Sequence, residues 1–234
     1  MWDGGTSNSW TEISNWLPGT GLPAAELPNS SNSTLIMLNS ANLAVADNVN
    51  TTVKSLYIGS AETNDGQLLL NNNSNFEVRP GLNIGGSNLN SNAILTIQDS
   101  TLTVKTGVNI GEGGRGVVRV SGADASLLVS SSSMDVMLGN SGWGELHVSD
   151  GALVQSVSNI GMNIGNARGS GLMDIHGEGS RVLIENGDLT IGAKSVGASL
   201  TVRDGAGLKI GRQLDLIGVG GVENDVLVSG TNSW

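Results

Sequence analysis

Leu82-Asn83-Ile84-Gly85 is followed by Val108-Asn109-Ile110-Gly111, and the same string, apolar–any–apolar–Gly, occurs four more times. The other copies are Leu56-Tyr57-Ile58-Gly59, Val136-Met137-Leu138-Gly139, Met162-Asn163-Ile164-Gly165 and Leu189-Thr190-Ile191-Gly192. A looser copy ends at Gly218. Successive glycines are 26, 26, 28, 26, 27 and 26 residues apart. Self-similarity at one period of this size is the mark of a solenoid.

The rest of each period reads as two more short strands. In residues 82–107 the first is Leu82-Asn83-Ile84, the second Ile94-Leu95-Thr96-Ile97 and the third Thr101-Leu102-Thr103-Val104. The next period gives Val108-Asn109-Ile110, Val117-Val118-Arg119-Val120 and Leu127-Leu128-Val129. Later copies include Glu145-Leu146-His147-Val148 with Leu153-Val154, and Ser199-Leu200-Thr201-Val202 with Leu208-Lys209-Ile210. Apolar and polar residues alternate, as in strands with one buried face. No helical period is sustained. Proline is absent after Pro80, which suits strands that bond to neighbours on both sides. Strands at this spacing also suit an antiparallel sandwich or barrel. The constant three-strand period argues against that and for an all-β, single-stranded, right-handed parallel β-helix. It would have three short strands per coil and about seven to eight coils, stacked about 4.8 Å apart.

In such a stack the inward Leu, Ile and Val form continuous columns, and the glycine after each first strand makes a sharp turn with positive φ. Asp150-Gly151, Asn186-Gly187 and Asp204-Gly205 are turn pairs of the same kind. Residues 1–33 depart from the repeat. They carry Trp2, Trp10 and Trp16 with Pro18, Pro23 and Pro28, and read as a cap on the open first coil, or else as a separate binding loop. Coils run from 34 to 234, beginning with strands 34–38 and 41–45 parted by an Asn39-Ser40 turn. Trp234 aligns with the start of a third strand, so the chain reads as truncated part-way through a coil. No charged-then-apolar leader follows Met1, so Met1 reads as an added start on an excised segment.

The chain has 234 residues, no cysteine and a net charge of −10. Thiol chemistry is therefore excluded, and nucleic-acid phosphates or anionic membranes would be repelled. No apolar run reaches the roughly 18 residues of a membrane helix.

Gly179-Ser180-Arg181-Val182, Asn186-Gly187-Asp188-Leu189-Thr190-Ile191-Gly192 and Gly144-Glu145-Leu146-His147-Val148-Ser149-Asp150-Gly151 resemble the repeats of autotransporter passenger domains, the type V secreted proteins of Gram-negative bacteria. Trp2, Trp10, Asn15-Trp16 and Pro18 are similar to the start of many such passengers. The pattern departs at Val182, where the family usually has an aromatic residue. The resemblance covers nearly the whole chain. It implies a right-handed β-helix displayed on the bacterial surface, acting in adhesion, aggregation or virulence. Its partners would be host-cell proteins, matrix or glycans, or sister copies. It also implies a C-terminal membrane barrel, which this sequence does not contain.

No catalytic or metal constellation and no cofactor motif stands out. His147 lies outward on its strand; His176 aligns with Ser149, so the two histidines read as isolated surface residues. Asp99, Asp124, Asp150, Glu178 and Asp204 recur near one turn, where Asp before Gly serves geometry. Tyr57, Asn83, Asn109, Met137, Asn163 and Thr190 form one outward column, read as an axial hydrogen-bond ladder or as a self-pairing face. The turn after the first strand is read as carrying Glu112, Arg115, Trp143, Arg168 and Lys194. Trp143 with Arg115, Arg168 and Lys194 is the candidate ligand-binding group: the ring would stack on a sugar or protein and the cations would orient it. The bland alternative is that Trp143 folds back over a coil edge. An inert stalk and, behind it, a polysaccharide-degrading enzyme are the other readings.

Overall fold

The computed structural model describes residues 1–2, 4–5, 7–17, 26–31, 35–38, 42–59, 65–87, 89–131, 136–166, 168–192, 197–217 and 224–234. The chain coils into three parallel sheets of eight, eight and seven strands. Each rung contributes one strand to each sheet; one rung is Val108–Ile110, Arg115–Ser121 and Ser126–Val129. Each strand pairs in parallel with its copies one rung above and one below. Asn109 thus lies between Asn83 and Met137, and Leu127 between Leu102 and Val154. Neighbouring strands run the same way, so this is a β-solenoid with three strands per coil and not an antiparallel sandwich. Its only helical element among the described residues is a 3-10 turn, Ile13–Asn15.

The period-two pattern decides which side chains go in. In Thr101–Val104, Leu102 and Val104 are buried while Thr101 and Thr103 stay half-exposed. Because registers are unshifted, Phe76, Leu102, Leu127, Val154 and Val182 form one buried column, and Ile58, Ile84, Ile110, Leu138, Ile164 and Ile191 another. Fully burying one such side chain contributes about 1.5–3 kcal/mol. The columns are therefore the main favourable term of the fold.

The corner glycines fulfil the sequence expectation. Gly59, Gly85, Gly111, Gly139, Gly165 and Gly192 have φ between 69° and 81°. Gly111 also lies against the next rung: a Cβ there would be 2.4 Å from the carbonyl carbon and oxygen of Trp143. Asp99, Asp150 and Asp204 adopt positive φ at the corner between the second and third sheets. Asp and Asn tolerate this conformation better than other side chains.

Two placements differ from the sequence reading. The second strand of each rung is longer than its apolar core, as in Asn92–Gln98, Arg115–Ser121, Trp143–Ser149 and Ala198–Arg203. Its extra residues are outward side chains or inward glycine or alanine, which apolar alternation does not mark. Backbone bonds nonetheless continue through them: Arg115 N donates to Ser91 O (2.7 Å) and Trp143 N to Gly114 O (3.0 Å). The first rung has strands Leu35–Leu38 and Leu43–Asp47 and a third, Asn50–Val53. Thr34, the Asn39-Ser40 turn and Gly218 lie outside the described residues.

At the N-terminal end Trp2, Trp10 and Trp16 are buried. Trp2 bridges to Leu38 of the first sheet and Ser9 to Val45 of the second, so this segment satisfies part of the first rung's backbone. The indoles meet edge-to-face, Trp2 to Trp16 at 5.0 Å and Trp10 to Trp16 at 4.6 Å, and Trp10 stands edge-on to Phe76 at 4.9 Å. The indole N–H groups of Trp2 and Trp16 donate to Asn42 O and Trp10 O respectively. At the other end the inward positions Leu214, Leu216, Val226 and Val228 are exposed.

Candidate functional site

The outer face of the second sheet holds the densest group of polar side chains. Strand Trp143–Ser149 is flat and period-two, so Trp143, Glu145 and His147 point outward while Gly144, Leu146 and Val148 point inward. Parallel register places Arg115 beside Trp143 and Val117 beside Glu145 from the rung before. Leu172 lies beside Glu145, and Asp174 beside His147, from the rung after.

Glu145 is the centre of this group. Its Oε1 accepts from Arg115 Nε (2.9 Å), Arg115 Nη2 (2.7 Å) and Trp143 Nε1 (2.6 Å), and its Oε2 lies 3.1 Å from His147 Nε2. Burial by itself would raise its pKa. The hydrogen bonds from His147, Arg115 and Trp143 outweigh that, and the carboxyl is held below the ordinary glutamate value. Beside it Val117 is fully buried, although it lies on the outer face and takes no part in the interior core. Arg115 and Arg119 flank it along the strand, and their hydrocarbon stems are suited to shielding it.

A second carboxylate extends the group across the next rungs. Asp174 Oδ2 is 3.1 Å from Arg203 Nη2, and Arg203 Nη1 is 2.9 Å from Asp204 Oδ2. His147 Nδ1 lies 3.9 Å from the same Asp174 oxygen and His176 Nδ1 3.1 Å from it. The His176 contact is not a hydrogen bond, and His176 Nδ1 and Asp174 Oδ1 are each buried without a hydrogen-bond partner among the described residues. The histidines do occupy different columns, as their alignment implies, since His176 pairs with Arg203 and His147 with Asp174. They are not isolated, however: one aspartate faces both.

The candidate residues from the sequence fare unequally. Arg115 and Trp143 are brought together as register partners joined through Glu145. They do not lie in the turn where the sequence reading placed them; each begins its strand, because the ladder already runs through it. Trp143 does not fold away: it is 46% exposed, with its N–H tied down and its ring in solvent. Arg168 is exposed in the turn before Ser170 and makes no hydrogen bond or ion pair with a described residue. Lys194 lies outside the described residues. Glu145, Asp174 and Arg203 were not singled out from the sequence. Alternation marks them, since Trp143, Glu145 and His147 are two apart on one face. The 27-residue step between Gly165 and Gly192 likewise sets Arg203 beside His176.

Chemically the group is a fastening. A carboxylate saturated with donors and held below its ordinary pKa is a weak proton donor and a weak base at neutral pH. Among the described residues no set of three His, Asp or Glu side chains could hold a metal ion. The first sheet's outer column and the corner after it carry side-chain hydrogen bonds of their own. Asn109 donates to Asn83 Oδ1 (2.8 Å), and Asn166 reaches Asn140 Oδ1 (3.4 Å) and Met137 Sδ (3.6 Å).

No protein-family model matches the chain, and neither the curated proteins nor the solved structures yield a match.

Proposed function

We propose that this chain is part of an autotransporter passenger that stands outside the outer membrane of a Gram-negative bacterium and acts as an adhesin. Three-strand coils with a repeat near 26 residues and the repeat motifs quoted above support the family reading. One observation carries the adhesive role: Trp143 presents its ring to solvent, held in place by Glu145, which Arg115 clamps in turn, beside the ion pairs of Arg115–Glu145 and Asp174–Arg203. A large exposed aromatic with a fixed orientation loses little entropy on contact and is typical of binding anchors.

The test uses beads coated with the protein, offered to host epithelial cells, to matrix proteins and to one another. Wild-type beads bind at least one of these surfaces, and Trp143→Ala beads lose most of that binding. Equal binding by Trp143→Ala removes Trp143 from the reading. Wild-type beads that bind nothing make the solenoid a spacer.

A further inference from the structure

Beyond Trp143 the outer face of the second sheet drops away. The next residues toward the C-terminal end are small: Ser170 beside Trp143, then Gly197, with Gly171, Ala198 and Ser199 alongside. A Cβ built on Gly197 would meet nothing within 4 Å. The result is an open depression of about 270 Å³, walled by the Trp143 ring and Leu172, with Asp225 at its far end. Sites for drug-sized ligands run roughly 300–1,000 Å³; this one suits a single ring.

We infer that this depression binds a neutral pyranose ring, stacked on Trp143. The inference rests on the adhesive reading above and supplies its ligand class. Three features select that chemistry. The indole offers a flat apolar wall, which matches the C–H face of a sugar ring better than it matches a charged or branched group. The polar groups opposite it are unengaged: the hydroxyls of Ser170 and Ser199 and the carboxylate of Asp225 make no hydrogen bond with any described residue. A sugar's hydroxyls can use all three, whereas an aliphatic side chain would desolvate them without return. Finally, the only charge on the described lining is the carboxylate of Asp225, in a chain of net charge −10. That accepts hydroxyl hydrogen bonds and repels sialic and uronic acids.

The wall is held in advance. Trp143 Nε1 is bonded to Glu145, which Arg115 clamps from the rung before, so the ring does not have to be ordered on binding. The site is shallow and open, so one ring binds weakly, in the millimolar range. Many copies on one cell surface convert such contacts into firm attachment.

The experiment is a titration of the chain, followed by NMR or calorimetry. The probes are methyl glucoside, methyl galactoside, N-acetylglucosamine and N-acetylneuraminic acid. At least one neutral sugar binds at millimolar concentration, and N-acetylneuraminic acid binds at least tenfold more weakly. Trp143→Ala and Ser199→Tyr, the second filling the depression while the indole is retained, each weaken that binding at least tenfold, with circular dichroism confirming the fold. The inference is overturned if none of the neutral sugars binds, if N-acetylneuraminic acid binds as well as they do, or if either variant binds like the wild type. Loss of cell binding by Trp143→Ala with no sugar binding overturns this inference and leaves the adhesive reading standing. Sugar binding by a protein that attaches to no surface does the reverse.

Discussion

Gly111 shows how much of the molecule depends on a missing side chain. Its φ is 75°, and a Cβ would sit 2.4 Å from the backbone of Trp143. The same absence that turns the chain from the first sheet to the second lets the next rung settle on it. Gly111→Ala would combine a left-handed backbone, costing about 1–2 kcal/mol, with a backbone clash. We expect a loss of at least about 2 kcal/mol in urea unfolding, and a changed environment for Trp143. An alanine variant as stable as the wild type would show that the corner can relax. These corners were readable beforehand because only glycine serves there, and six copies of the motif mark the position. Asp150 and Asp204 were readable for a related reason, since a short polar side chain before glycine marks a turn; Asp99, which precedes Ser100, adopts the same positive φ without that pair.

At the scale of the strand, the second sheet carries both the surprise and the site. The sequence reading began each second strand at its first apolar residue and so left Arg115 and Trp143 in a turn. Outward polar positions have no periodic hydrophobic signal, and only the ladder shows that they belong to the strand. The face built from Arg115, Trp143, Glu145 and His147 was therefore legible in part: the aromatic stood out, while the carboxylate holding it did not. Glu145 gives a pH signature with a definite sign. Its pKa is lower folded than unfolded, so its contribution is fully present above the unfolded value and is lost as pH falls through the folded one. Glu145→Gln should cost about 1–2 kcal/mol near neutral pH, because Arg115, Trp143 and His147 lose their common acceptor. It should also lose less stability than the wild type on acidification below about pH 4.5. Parallel stability–pH curves for the two proteins would count against Glu145 as the fastening.

At the scale of the molecule, the rungs form a one-dimensional array in which each contacts only its neighbours. The two ends differ: three buried tryptophans lie at one, and at the other Leu214, Leu216, Val226 and Val228 are exposed. Opening should therefore begin at the second end. In hydrogen exchange, amides of Leu214–Leu216 and Asn224–Ser229 should exchange first, and those of Asn92–Gln98 and Arg115–Ser121 last. Uniform protection along the axis would mean that the rungs open together.

The step from Gly111 to Gly139 spans 28 residues where most span 26, yet Val108 still pairs with Val136 and Ile110 with Leu138. Against the rung that follows, one surplus residue falls between Val120 and Leu127 and the other between Val129 and Val136, so both are taken up in the connections between strands. Strand spacing and corner length are thus inherited separately. A lineage can lengthen a bend, or duplicate a whole turn of the coil, without redesigning the interior. The length of the solenoid and the texture of its surface can then evolve as independent traits.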